Sequence, residues 1–155
     1  MERGALDKST ITDVPSRGVA YHSADYVLRY MFDIGSLFDY DYERMVIYLV
    51  IANSNVQSIV NIPEKFTPFA ATNVIIPAEL QRPATRSAIA RATGLPRETV
   101  RRKVAGMIDS GMLTADAKGG LILTPGILAS RQIAELLAKN EANVRRLVRQ
   151  VTPLI

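Results

Sequence analysis

The chain has 155 residues, 48% of them hydrophobic, with a formal charge of +4 and no cysteine. That length buries a sizeable core in one compact unit, that composition excludes wholesale disorder, and the lack of cysteine excludes disulfides, thiolate metal sites and a cysteine nucleophile. The start of the chain lacks the apolar stretch of a signal peptide, and the longest apolar run, residues 45–52, is far short of the roughly 20 residues a membrane helix needs, so a cytoplasmic location without membrane contact is expected.

Residues 1–20 mix charge with Ser, Thr, Pro and Gly and show no periodicity, which reads as a flexible arm; Arg3, Lys8 and Arg17 are offset by Glu2, Asp7 and Asp13. Residues 21–60 read as two helices. Ser23 is the expected N-cap of the first, with Asp25 in its first turn. Tyr26, Val27, Tyr30, Met31, Ile34, Leu37 and Phe38 then recur at helical spacing. The second helix starts near Asp39 or Asp41 and runs to about Val60. Its centre, MVIYLVIA, is apolar all round and must be covered on several sides; a partner subunit is one such cover. Most of the aromatic residues (Tyr21, Tyr26, Tyr30, Phe32, Phe38, Tyr40, Tyr42, Tyr48) fall here, either as a pocket for an aromatic effector or as core and dimer packing.

Residues 61–84 are broken by Pro63, Pro68, Pro77 and Pro83, so no long helix crosses them. A short helical turn is expected around 78–81. An ordered excursion over the surface and a flexible lid both fit such a connection.

Residues 85–124 carry the most informative pattern. Thr85 caps a helix from Arg86 to about Thr93, with Ile89 and Ala90 facing inward. Gly94 ends it with a residue free to take positive φ. Leu95 plugs the space between two helices, and Pro96 opens the second at its first position, where the missing N–H costs nothing. In that second helix, residues 96–110, Val100, Val104, Met107 and Ile108 form the buried stripe. Arg97, Glu98, Arg101 and Arg102 lie mostly off it, with Lys103 at the margin. Two helices joined by so tight a turn are a helix-turn-helix, which sets its second helix in the DNA major groove. Arginine suits that position because its planar fork makes bidentate bonds to guanine. Glu98 either caps backbone N–H groups at the third helical position or meets a cytosine amino group. Thr99 bonds a phosphate or a helix carbonyl. After Gly111, Met112 and Leu113 enter a strand, residues 118–120 turn it, and residues 121–123 return. Such a hairpin after a recognition helix is a wing, with Lys118 at its tip. Arg86 and Ser87, at the start of the first helix, complete the set expected on DNA.

Thr124 and Pro125 start a last helix, expected to run to about Gln150. Ile133, Leu136, Leu137, Val144, Leu147, Val148 and Val151 form an apolar stripe interrupted by Asn140. Residues 125–155 thus pair with a second copy, pack on the N-terminal helices of their own chain, or do both. Charge is segregated along the chain. Between Arg82 and Lys103 lie seven basic residues against Glu98 alone, whereas Asp25, Asp33, Asp39, Asp41 and Glu43 face only Arg29.

Residues 86–123 resemble the winged helix-turn-helix of bacterial transcription regulators such as the MarR and GntR families. The run ETVRRKVAGMIDSGML is similar to the GntR recognition helix at Thr99, Val100, Arg101, Arg102, Val104, Met107, Gly111, Met112 and Leu113. The resemblance implies operator binding by Arg97, Thr99, Arg101, Arg102 and the wing tip. The expected architecture is therefore mainly α: a three-helix core plus a two-stranded β-wing, flanked by N-terminal and C-terminal dimerisation helices. The expected function is a sequence-specific transcription regulator, binding double-stranded DNA as a homodimer, with an effector undefined and no cofactor. The alternative is a winged-helix module that binds a protein instead. His22 is the only histidine and there is no Gly-rich phosphate loop, so no enzyme, metal or cofactor site is expected.

Overall fold

Apolar residues at helical spacing make most of the chain helical, with one small antiparallel hairpin. The computed structural model describes residues 15–155. Its helices are α1 (Arg17–Gly35), α2 (Tyr42–Val56), the single turn α3 (Pro63–Phe66), α4 (Arg86–Thr93) and α5 (Arg97–Asp109), followed by strands β1 (Leu113–Ala115) and β2 (Leu121–Leu123) and by α6 (Arg131–Val151). Single 3-10 turns at Thr67–Phe69 and Ala78–Leu80 punctuate the Pro-broken connection. The second of these is the turn expected from the sequence. Among the described residues no helix is long and apolar enough to cross a membrane.

Several helix ends differ from expectation. Ser16, not Ser23, caps α1: its hydroxyl accepts from the Val19 amide at 3.3 Å. Residues 17–20 are therefore helical rather than part of an arm. Residues 1–14, the rest of that arm, lie outside the described residues. At α6 the helix opens at Arg131, not at Pro125, because Gly126 takes a φ of 80° and the chain turns once more before entering the helix. At α5, Pro96 is the cap residue itself (φ −57°, ψ 140°) and Arg97 the first helical residue.

The all-apolar helix α2 is the hub. Asp41 caps it by accepting from the Arg44 amide at 3.1 Å, and Glu43 adds negative charge to its first turn. Met45, Ile47, Tyr48 and Ile51 are buried in one cluster with Ala84, Ile89, Ala90, Val100, Val104, Met107, Leu113 and Leu121. The boundary expected between residues 21–60 and 85–124 thus runs through a single core. Most of the cover that α2 needs comes from α4, α5 and the hairpin of its own chain, leaving Tyr42 and Val46 exposed. Each large side chain buried completely in this way contributes about 1.5–3 kcal/mol.

The hairpin pairs Leu113 with Leu123, Thr114 with Ile122 and Ala115 with Leu121. Its other edge is closed by Ala84, which exchanges two backbone hydrogen bonds with Leu121 at 2.9 and 2.8 Å. Beside this bridge sits Asn55 of α2, 4% exposed. Its Nδ2 donates to the carbonyls of Arg82 (3.2 Å) and Leu121 (3.1 Å), while its Oδ1 accepts from the Leu123 amide at 2.9 Å. One side-chain amide therefore serves as a stretch of strand. It satisfies backbone groups that burial would otherwise leave costly.

α1 and α6 lie antiparallel. Tyr26 donates its hydroxyl to Asn140 Oδ1 at 3.1 Å. The Asp33 carboxylate takes the Lys139 ammonium and the Asn143 amide, the latter at 3.2 Å. The last helix thus packs on the N-terminal helix of its own chain, one of the arrangements expected. Asn140 is no flaw in the apolar stripe but the partner of Tyr26.

Replacing Asn55 with Leu leaves the Leu123 amide unpaired and takes one of two donors from the Arg82 and Leu121 carbonyls, which keep Ser54 and Ala84, and is expected to cost about 1–3 kcal/mol in urea unfolding; a loss below about 0.5 kcal/mol contradicts this role. A second expectation concerns Tyr48, whose phenol burial, with Tyr30 nearby, pushes up to about 12 from the ordinary 10.0. A raised acid pKa means that the folded state favours the neutral phenol, so this stabilisation is complete below about pH 10 and is lost as pH climbs through about 12. Thermal melts of the wild type should fall more steeply across that window than those of Tyr48→Phe. Superimposable alkaline profiles would show that Tyr48 does not titrate in this way.

Candidate nucleic-acid interface

Thr85 opens α4 as expected, its hydroxyl accepting from the Ala88 amide at 3.1 Å, and Gly94 closes it with a φ of 71°. That turn sets α5 against α2 and α4 through Val100, Val104 and Met107, all with no exposure. Ile108, expected in the same stripe, is half-buried. With 100° between successive residues, Arg97, Glu98, Arg101, Arg102 and Ala105 fall within an arc of roughly 140° on the side away from that stripe. All five are exposed, and Thr99 at the border is half-buried.

Within the arc the charges interact. The Arg101 guanidinium donates to both Glu98 oxygens, at 2.8 and 2.6 Å. The hydrogen bond from Arg101 holds the Glu98 carboxyl below its ordinary value, and the same bond raises Arg101. Glu98 is therefore neither the third helical residue nor a cap for backbone amides, as one of its two readings had it. It is the second residue, and it orients Arg101. Such an exposed pair is screened by water and exchanges readily for another anion.

Lys103 departs most from expectation. Its side chain is 15% exposed, and its ammonium binds the Asp41 carboxylate and lies 3.4 Å from Glu43. It fastens the middle of α5 to the N-terminus of α2 and is turned away from the cationic arc. Burial raises the Asp41 carboxyl, but the Lys103 ammonium and the Arg44 amide outweigh it and hold Asp41 below the usual carboxylate value.

The hairpin tip is organised by Asp116, which the sequence reading passed over. Its carboxylate accepts from the amides of Lys118 (2.8 Å) and Gly120 (2.7 Å), while its backbone exchanges bonds with Gly119 and Gly120. An Asp four residues before the end of a Gly-rich turn is a recognisable sign of this closure. Lys118 stands exposed at the tip. Arg86, expected on DNA, is half-buried and donates to the Gly119 carbonyl at 3.3 Å, so it braces the tip against α4. Ser87 beside it is exposed. The chain thus joins Arg86 to the hairpin and Glu98 to Arg101, leaves Arg97, Arg102 and Lys118 in solvent, and draws Lys103 inward.

The N-terminal aromatics are divided. Tyr21, Phe32, Tyr40 and Tyr42 are exposed, and Phe38 packs in the core against Tyr48 with ring centres 5.3 Å apart. Tyr30 and Tyr48 line a cavity of about 370 Å³ between α1, α2 and α6. Phe66, Phe69 and Ile75 of the Pro-broken connection form another wall of it. That connection is thus an ordered excursion with its aromatics turned to the cavity. Comparison with protein-family models, with curated proteins and with solved structures finds no match for this chain.

Proposed function

We propose that α2, α4, α5 and the β1–β2 hairpin form a winged helix-turn-helix, and that the chain is a sequence-specific DNA-binding transcription regulator. The observation that carries this reading is the exposed arc of Arg97, Arg101 and Arg102 at the first turns of α5, held outward by a fully buried opposite stripe. Guanidinium forks at the N-terminal end of a helix that follows a tight turn suit base edges in the major groove. Lys118, on a hairpin tip made rigid by Asp116 and Arg86, suits a phosphate. In the bound state Arg101 exchanges Glu98 for DNA. A protein-binding module would more often present apolar side chains on that arc.

The regulator acts as a homodimer in this reading. The side of α1 away from α6 exposes Tyr21 (67%), Leu28 (55%) and Phe32 (61%) at i, i+7 and i+11, and α6 exposes Val148 (56%). A second copy is the occupant that matches such a self-complementary apolar stripe. Two copies would present their α5 helices to successive turns of one DNA face, about 34 Å apart.

In anisotropy titrations with genomic fragments, log K should fall with log salt at about −0.9 per neutralised phosphate. Arg101→Ala and Arg102→Ala should each weaken binding by about tenfold or more while melting like the wild type. Full binding by both variants would remove α5 from the interface. Lys103→Met should do the reverse, lowering stability by about 1 kcal/mol through the lost half-buried ion pair with DNA affinity changed by less than about twofold. Leu28→Asp and Phe32→Asp should sediment as folded monomers; a dimer that survives both substitutions is not held by α1.

A further inference from the structure

With 100° between successive residues of α1, Tyr21, Leu28 and Phe32 fall within an arc of about 40°. Asp25 and Arg29 lie on one edge of that arc and bind each other at 2.9 Å, both partly in solvent. Arg17 and Gly35 lie on the other edge. Arg17 is exposed. Gly35 is covered, because the Tyr40 ring lies 3.1 Å from where a Cβ would stand. That ring is held in place by strain. Asp39 and Tyr40 take φ values of 52° and 59°, a left-handed pair without glycine, and the Tyr40 amide donates to the Gly35 carbonyl at 2.8 Å. Tyr40 nevertheless remains 55% exposed. Arg17, Tyr21, Phe32 and Gly35 are spaced nearly alike from both ends of the helix, about a midpoint between Tyr26 and Val27.

We propose that α1 pairs antiparallel with α1 of a second copy about a two-fold axis at that midpoint, so that Tyr21 packs on Phe32 of the second copy and Asp25 bonds to its Arg29. The inference rests on the homodimer proposed above and gives it a direction and a register. Charge decides the direction. A parallel pair sets Arg17 against Arg17, Asp25 against Asp25 and Arg29 against Arg29. The antiparallel pair instead sets each Asp25 beside an Arg29, twice over and on the same edge of the seam. It also carries Arg17 to the far end of the second helix, where Asp39 and Tyr40 are exposed and offer a carboxylate and an aromatic ring to a guanidinium. The left-handed turn at Asp39 and Tyr40 then has a use, since it keeps that ring at the end of the seam.

The chain has no cysteine, so introduced thiols report the register directly. Tyr21→Cys and an affinity-tagged Phe32→Cys are mixed, equilibrated and oxidised with copper phenanthroline, and the linked products are separated by mass. Positions 21 and 32 lie about 16 Å apart along one helix, far beyond the reach of a disulfide. The antiparallel register therefore yields the mixed 21–32 dimer and excludes 21–21 and 32–32 dimers, whereas a parallel pair does the reverse. A second measurement leaves the apolar seam intact. Asp25→Arg and Arg29→Asp should each weaken dimerisation in sedimentation by about tenfold or more. An equimolar mixture of the two should regain the wild-type Kd within about twofold, because every charge then meets its opposite across the seam. An ion pair that served one helix alone gives no such rescue. Four results would each overturn the proposal: 21–21 and 32–32 links in place of the mixed one, no link of any kind, no rescue on mixing, or a wild type that stays monomeric at about 100 µM. DNA binding is read separately, by anisotropy with genomic fragments. A mixed link in a chain that binds no DNA would uphold the pairing and end the regulator reading; operator binding by a chain that links 21 to 21 would do the opposite.

Discussion

The buried Asn55 amide fixes how the β1–β2 hairpin sits on α2. The hairpin has three residues per strand, too short to stand alone in water. Ala84 closes one part of its open edge, and Asn55 closes the rest by bonding to Arg82, Leu121 and Leu123 from the side of α2. Because those bonds are directional, they set where the hairpin sits along α2, which hydrophobic burial alone does not do. The apolar surface of α2 then supplies the driving force, and the Asn55 bonds supply the register.

With α2 and the hairpin joined, the position of α5 follows. Its buried stripe is shared with α2 and α4, and Lys103 pins its middle to the acidic start of α2. The segregated charge of the sequence thus has two uses. Asp41 and Glu43 hold the scaffold, while Arg97 and Arg102 stay in solvent beside the Glu98–Arg101 pair. Arg86 and Asp116 perform the same division at the hairpin, one bracing the tip and the other closing its turn, so that Lys118 projects.

The segment from Thr85 to Met107 was the most legible part of the chain because its signals are local. Thr85, Gly94, Val100, Val104 and Met107 occupy the positions their chemistry predicts, and α4 begins and ends where expected. The start of α1 was missed because Ser16 and Ser23 are equivalent as caps in sequence; only the packing of α1 on α6 extends the helix to the earlier one. Asn140 looked like a break in a stripe because its partner, Tyr26, is 114 residues away. Lys103 was placed on DNA for the same reason: the carboxylate that claims it is 62 residues distant. Long-range polar pairing carries no periodicity, so the roles of Asn55, Lys103 and Arg86 were invisible to pattern. The cavity was only half-visible, since two tyrosines on its wall lay in the expected cluster and the opposite wall came from a Pro-broken segment without a pattern.

In the proposed regulator the outward arginines of α5 read duplex DNA from two symmetry-related copies. Selection of bound fragments from genomic DNA by the intact chain, followed by sequencing, tests it most directly. The enriched fragments should share an inverted repeat whose half-sites are centred about 10 base pairs apart, or a multiple of that spacing. Recovery of fragments in the proportions of the input, at low and at physiological salt, would contradict it.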